Sequence, residues 1–157
     1  ISSFIIFLSI FSILLLDQVS KAFISLRFSL GQSLPIIKGV FHITFIRNTG
    51  VAFGLFKDNA YFFIAISIIA AGIIGAMLIK SVMSDKFLSN LLFNFSLVLI
   101  MSGALGNLID RIRFLYVIDF IDVRIWPVFN IADSSITIGT ALLIFSFSKR
   151  TMVRAIR

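Results

Sequence analysis

The chain has 157 residues, of which 59% are hydrophobic and 13% charged. Soluble domains are about 45–50% apolar and about 25% charged, so a water-soluble globule is excluded and residues 1–157 are expected to form one integral-membrane domain. With no cysteine and one histidine, His42, thiol nucleophiles, disulfides and Cys- or two-His zinc sites are excluded, and neither a metal nor a cofactor is expected.

The net charge of +7 fits cations beside anionic membrane lipids better than a nucleic-acid partner, whose continuous basic face is missing. The chain contains no glutamate, so its seven acids are Asp17, Asp58, Asp85, Asp110, Asp119, Asp122 and Asp133.

A spanning helix needs about 20 mostly apolar residues. The first candidate, about 3–26, is free of charge up to Leu16 and continues past Asp17 and Lys21, an acid-then-base pair at helical spacing. It reads as a span and not as a cleaved leader, because a basic start and a small-residue cleavage site are both missing. Residues 27–58 follow as an extracytoplasmic segment punctuated by Gly31, Pro35 and Gly39. Within it, Val40 to Ile46 is rich in β-branched and aromatic residues and reads as a strand of a small sheet at the membrane surface.

The second span, 60–79, carries no charged residue, and the third and fourth are expected at about 87–109 and 131–147. Between the last two lies a second extracytoplasmic segment, 110–130, with Trp126 and Pro127 placed as interfacial residues. Small residues four apart (Ala71 and Gly75, Gly72 and Ala76, Ser102 and Gly106) predict close packing of the middle spans. The fold class is therefore an all-α membrane protein of four transmembrane helices with a small β element. The basic tail, Lys149, Arg150, Arg154 and Arg157, places both termini in the cytoplasm by the positive-inside rule.

Polar residues gather beside the third and fourth spans, where a carboxylate costs at least ~2.5 kcal/mol if it lies deep in hydrocarbon. Asp119 and Asp133 each stand among apolar neighbours, and they meet if segment 111–130 folds back. Two adjacent carboxyls cannot both ionise easily, so one serves as base toward water and the other as acid toward a peptide bond. Blander readings stand beside this one. Asp133 precedes an apolar run and suits a helix cap. Asp110 beside Arg111 suits an ion pair or a cap, Asp119 and Asp122 suit surface pairs with Arg113 or Arg124, and His42 suits a structural role. A small four-helix transporter or ion-conducting subunit is the rival, since intramembrane acids also mark ion paths.

Five motifs carry a resemblance. They are Asp17-Gln-Val-Ser-Lys21; Arg47-Asn48-Thr-Gly50-Val-Ala52-Phe53-Gly54; Gly103-Ala-Leu-Gly106-Asn107-Leu-Ile-Asp110-Arg111; Val117-Ile-Asp119-Phe120-Ile-Asp122; and Phe129-Asn130-Ile-Ala132-Asp133-Ser-Ser-Ile-Thr-Ile-Gly139. In this order, and over most of the chain, they resemble the type II lipoprotein signal peptidases, intramembrane aspartic peptidases of bacteria.

The resemblance implies that Asp119 and Asp133 are the catalytic pair. Asp17, Lys21, Asn48, Gly50, Asn107, Asp110, Arg111, Asn130 and Ala132 occupy the family's other recurrent positions, as substrate-binding or supporting residues. It further implies a prolipoprotein signal peptide with a diacylglyceryl-Cys as substrate, cleaved just before that Cys, and inhibition by globomycin. A sheet cradle and a short interfacial helix near the outer face of the cytoplasmic (inner) membrane are implied as well. Gly50 and Gly54, flanking Phe53, are expected to let segment 40–54 act as a flap. Two departures stand out: Ser102 replaces a glycine found in many members, and the connection from Asp119 to Asp133 is short.

Overall fold

A computed structural model describes residues 2–50, 59–84 and 89–155. Helix α1 spans Ser2–Arg27, strands β1 and β2 span Ser33–Ile37 and Phe41–Asn48, and helices α2 and α3 span Ala60–Met83 and Leu91–Phe114. Strand β3 (Val117–Asp122) and helix α4 (Ile131–Ala155) complete the described elements. All four helices are long and apolar enough to cross a membrane. Among the described residues no short interfacial helix is present, and Gly54 and Phe53 of the expected flap lie outside them.

Three helices run further than their hydropathy predicts, α4 continuing past residue 147 to Ala155. The third continues past residue 109 through Asp110, Arg111 and Arg113 to Phe114, and Leu115 ends it in the left-handed conformation at φ 63°. Asp110 tolerates this position because Lys21 and Gln18 of α1 satisfy its carboxylate, so the connecting segment begins after Phe114 and not at residue 110. Likewise α2 continues to Met83.

Close packing also falls elsewhere than the small-residue pairs of α2 suggest. A Cβ at Gly72 would meet open space, and one at Gly75 would make an ordinary contact with Met101. The tight seam is between α3 and α4, where a Cβ on Gly103 would strike the Ala132 carbonyl. On α4, a Cβ on Gly139 would lie 2.8 Å from the Ser96 carbonyl oxygen. Such side-chain-free positions let two helix backbones approach in lipid, where no hydrophobic drive holds helices together.

The sheet is antiparallel with order β1-β2-β3. Its hairpin turns at Gly39, whose φ of 77° suits glycine, with the Val40 N–H donating to the Ile37 carbonyl at 2.9 Å. The β3 strand was hidden to periodicity because nearly all its residues are buried on both faces. One irregularity matters for the site. Ile43 pairs with Ile121 and Ile46 with Asp119, so β2 spends three residues where β3 spends two. This β-bulge reverses the facing of the end of β2. Asn48, opposite Val117, thereby shares a face with Asp119, where an unbroken register would have put Arg47. The other face packs Phe45, Ile118 and Phe120 against Ile24 of α1.

Candidate active site

The polar cluster is built where the sheet meets the ends of α1, α3 and the start of α4. Asn130 begins α4 as its N-cap: its Oδ1 accepts from the Asp133 N–H at 2.9 Å, and its own N–H donates to Asp133 Oδ2 at 3.3 Å. This reciprocal arrangement is a capping box. The cap reading of Asp133 therefore moves to Asn130, with Asp133 as the returning partner three residues on.

Asn130 is fully buried and also reaches the other carboxylate, its Nδ2 donating to Asp119 Oδ1 at 2.7 Å. Asn48 Nδ2 donates to Asp119 Oδ2 at 2.8 Å, and the Gly50 N–H orients that amide by donating to Asn48 Oδ1 at 3.0 Å. Asn107 Nδ2 donates to Asp133 Oδ1 at 2.7 Å. Both carboxylates are thus held by asparagine amides, and Asn130 bonds to each of them.

Behind this layer lies a charged one. Lys21 Nζ is 2.8 Å from Asp17 Oδ2 and 3.0 Å from Asp110 Oδ2, and it donates to Asn107 Oδ1 at 3.1 Å. Its three protons thus have three acceptors. Asp17 Oδ1 accepts from the Ala132 N–H at 2.9 Å, satisfying an amide of the first turn of α4, and Asp110 Oδ2 accepts from the Ile118 N–H at 3.1 Å. Gly106 makes room for this, since a Cβ there would lie 2.7 Å from Asp17 Oδ2. The expected Asp17–Lys21 pair is present, whereas Asp110 pairs with Lys21 and its neighbour Arg111 stacks over Phe63 at 5.1 Å.

Two clefts open onto Asp133. One, of about 210 Å³, is lined by Asn48, Gly50, Arg111, Phe129 and the segment 126–128; the other, of about 430 Å³, runs along α4 past Ser134, Thr137 and Ile138. Asp119 is almost completely buried, at 1% exposure. Burial, and next the nearby Asp133 charge, push its carboxyl up to about 7 against the opposing hydrogen bonds from Asn48 and Asn130. The arrangement offers one carboxyl that keeps its proton near neutrality and another at the mouth of the clefts.

Of the residues singled out from sequence, Gly54 lies outside the described residues, as do Phe53 of the expected flap and the acids Asp58 and Asp85. Asp122 pairs with Arg124 at 3.0 Å, and His42 bonds Ser33 at 3.2 Å on the sheet face opposite Asp119. Sequence reasoning passed over Gln18, whose Nε2 lies within 3.2 Å of the Gly106 carbonyl, Asp17 Oδ2 and Asp110 Oδ1. Its signal was a large polar side chain directly after Asp17 in a mostly apolar helix, three residues before Lys21. Phe129 was likewise quoted without a role, though it lines both clefts.

Comparisons with known proteins place the chain among relatives of one family. The family model described as signal peptidase (SPase) II matches residues 9–149. The lipoprotein signal peptidase of Halothermothrix orenii is 45% identical over 139 residues, covering 88% of this chain and 92% of that protein. That of Syntrophus aciditrophicus is 47% identical over 141 residues, 84% of each chain. A bacterial membrane enzyme solved by the in meso method at 2.3 Å resolution superposes with a TM-score of 0.85 at 37% identity, covering 93% of this chain and 88% of that one. A second, at 1.9 Å, gives a TM-score of 0.80 at 36% identity, over 90% and 91%. The chain belongs to the signal peptidase II family.

Proposed function

We propose that this membrane peptidase removes the signal peptide from prolipoproteins, with Asp119 and Asp133 as its catalytic pair. The observation that carries the assignment is Asn130: one buried residue bonds both carboxylates, at 2.7 Å through its side chain and 3.3 Å through its backbone. In this reading Asp133, facing the clefts, is the base that takes a proton from water. Asp119, held neutral by burial, gives its proton to the scissile carbonyl as the tetrahedral intermediate forms. Collapse then transfers a proton to the leaving amide nitrogen, and the pair titrates as a unit.

The supporting roles follow from the contacts. Asn48, Asn107 and Asn130 aim the carboxylates, with Gly50 orienting Asn48. Asp17, Lys21 and Asp110 hold Asn107, Ala132 and strand β3 in place, and Arg111 lines the cleft a substrate would enter. The substrate is a signal helix lying among the spans, cleaved just before a Cys that carries diacylglycerol, and globomycin competes for the same cleft. The basic C-terminal residues support cytoplasmic termini, with the sheet and the acidic pair near the outer face of the bacterial cytoplasmic membrane. A transporter reading finds no support among the relatives, which are named as peptidases.

The test uses detergent-purified protein and a diacylglyceryl-modified precursor. Asp119→Asn and Asp133→Asn are each expected to lower kcat by at least about 10³-fold while the helical content is retained. Globomycin should block the wild-type reaction. Either variant cleaving at the wild-type rate removes the assignment.

A further inference from the structure

Besides Leu115 at the end of α3, the described backbone holds a non-glycine residue at positive φ in the turn after β3. Arg124 has φ 66°, and the Ile125 N–H donates to the Val123 carbonyl at 2.8 Å. A three-residue turn around a non-glycine residue at positive φ is a rare, strained conformation. It persists only where the surroundings over-determine it.

Asp122 supplies that determination. Its Oδ1 accepts from the Arg124 N–H at 2.9 Å, and its Oδ2 accepts from the Arg124 guanidinium at 3.0 Å and from the Thr44 hydroxyl at 2.8 Å. Thr44 in turn sits 2.8 Å from Ser33 Oγ, so the carboxylate is braced across all three strands. Burial pushes the Asp122 carboxyl up, but the bonds from Thr44 and Arg124 outweigh it and leave it below the usual carboxylate range. It therefore carries its charge throughout the neutral range.

The turn begins a loop whose ends are locked together. Phe129 pairs with Ile121 through N–H to carbonyl bonds of 2.7 and 3.0 Å. Between the clamp at Asp122 and this bridge, the loop presents Trp126, which lines both clefts that reach Asp133. The direction in which the chain leaves Arg124 decides where that indole stands.

We propose that Asp122 is a positioning residue of this peptidase: by holding the strained turn at Arg124 it fixes Trp126 as the shared wall of the two clefts, against which the substrate segment beside the scissile bond is packed. The proposal rests on the catalytic reading of Asp133. Asp122 touches no substrate itself and acts through the loop, so its loss weakens substrate binding more than the chemical step.

The experiment uses the full chain in detergent with the diacylglyceryl-modified precursor. Trp126 is the only tryptophan, so intrinsic fluorescence reports this loop alone. Asp122→Ala is expected to raise KM about tenfold with kcat within about twofold, since misplacing a binding wall costs mainly uniform binding. It is also expected to shift the Trp126 emission and increase its quenching by acrylamide. The double variant Asp122→Ala/Arg124→Gly separates this from a general loss of structure. Glycine adopts φ 66° without a clamp, so the second change is expected to restore both the emission and most of the KM.

Asp122→Ala with KM and emission both unchanged overturns the proposal, as does a KM defect that Arg124→Gly fails to relieve. Wild-type protein that leaves the precursor intact sinks the peptidase reading instead. Wild-type cleavage with an unmoved Asp122→Ala variant sinks this proposal alone.

Discussion

Four aspartates at this site, Asp17, Asp110 and Asp119 buried and Asp133 half-buried, fall into two pairs that the protein treats differently. Asp17 and Asp110 share a cation, Lys21, within 3.0 Å of each. Asp119 and Asp133 receive short hydrogen bonds from the amides of Asn48, Asn107 and Asn130 and have no cation within ion-pair distance among the described contacts. A cation neutralises an acid and fixes it in the charged form. An amide orients the acid and leaves its proton free to come and go. The first pair ties α1 to α3, and the second is the one to which the proposed mechanism gives the proton chemistry. Asn107 joins the two layers, accepting from Lys21 on one side and donating to Asp133 on the other.

The largest blow to that contrast is removal of the cation. Lys21→Met leaves two buried carboxylates uncompensated, and breaking one partner of a buried pair costs about 3–5 kcal/mol. The variant is expected to lose that much stability in detergent unfolding. Converting its partners as well, in Lys21→Met with Asp17→Asn and Asp110→Asn, should recover a large part of the loss, because no unpaired charge is left. Recovery of stability without recovery of activity would mark the cation as the fixture that aims Asn107. A single Lys21→Met variant as stable as wild type would show that the two pairs are not different in kind.

For the second pair the sign reverses. The folded-state value for Asp119, about 7, lies above its ordinary 3.8. The folded protein therefore binds this proton more tightly than the unfolded chain, so the contribution of Asp119 to stability is fully present below about pH 4 and is lost as pH rises through about 7. Asp119→Asn removes that decline. Its gain is cut by the Asn NH2, which faces amide donors where the carboxylate offered an acceptor. The net expectation is a variant about 1–2 kcal/mol more stable than wild type at pH 8 and equal or slightly weaker at pH 5. Equal stability curves across that range would mean that burial does not burden Asp119.

Much of this division was legible before any coordinates. Four spans and a surface strand follow from hydropathy and β-branched content, and Asp119 and Asp133 stood out as acids among apolar neighbours. The Asp17–Lys21 pair was legible from spacing alone. What the chain order could not carry was the pairing of Asp110, which sequence adjacency assigned to Arg111 and the fold gives to Lys21, 89 positions away. Nor could it carry the bulge in β2, which decides that Asn48 and not Arg47 shares a face with Asp119. A bulge has no periodic signature of its own in a strand only eight residues long. Likewise the seam at Gly103, Gly106 and Gly139 depends on which helix lies opposite. Small residues in α2 look the same on the page, yet Gly72 faces open space and Gly75 makes only an ordinary contact with Met101.

The smallest effect is the one that tests most directly whether amides tune the pair. The Asn48 bond lowers the Asp119 value against burial, because an N–H donor favours the charged form. Asn48→Ala removes that donor, so the Asp119 proton is held to higher pH. If Asp119 must be protonated to act as the acid, the alkaline limb of kcat/KM is expected to fall in wild type as pH rises through about 7, and should move upward by about half a unit to one unit in the variant. The plateau should fall as well, because the carboxyl has lost one of its two aiming bonds. A limb that moves downward would mean that Asp119 works in its charged form, and the roles of base and acid would then pass between the two aspartates. The asparagine layer would still be the tuning element, but tuning the opposite partner.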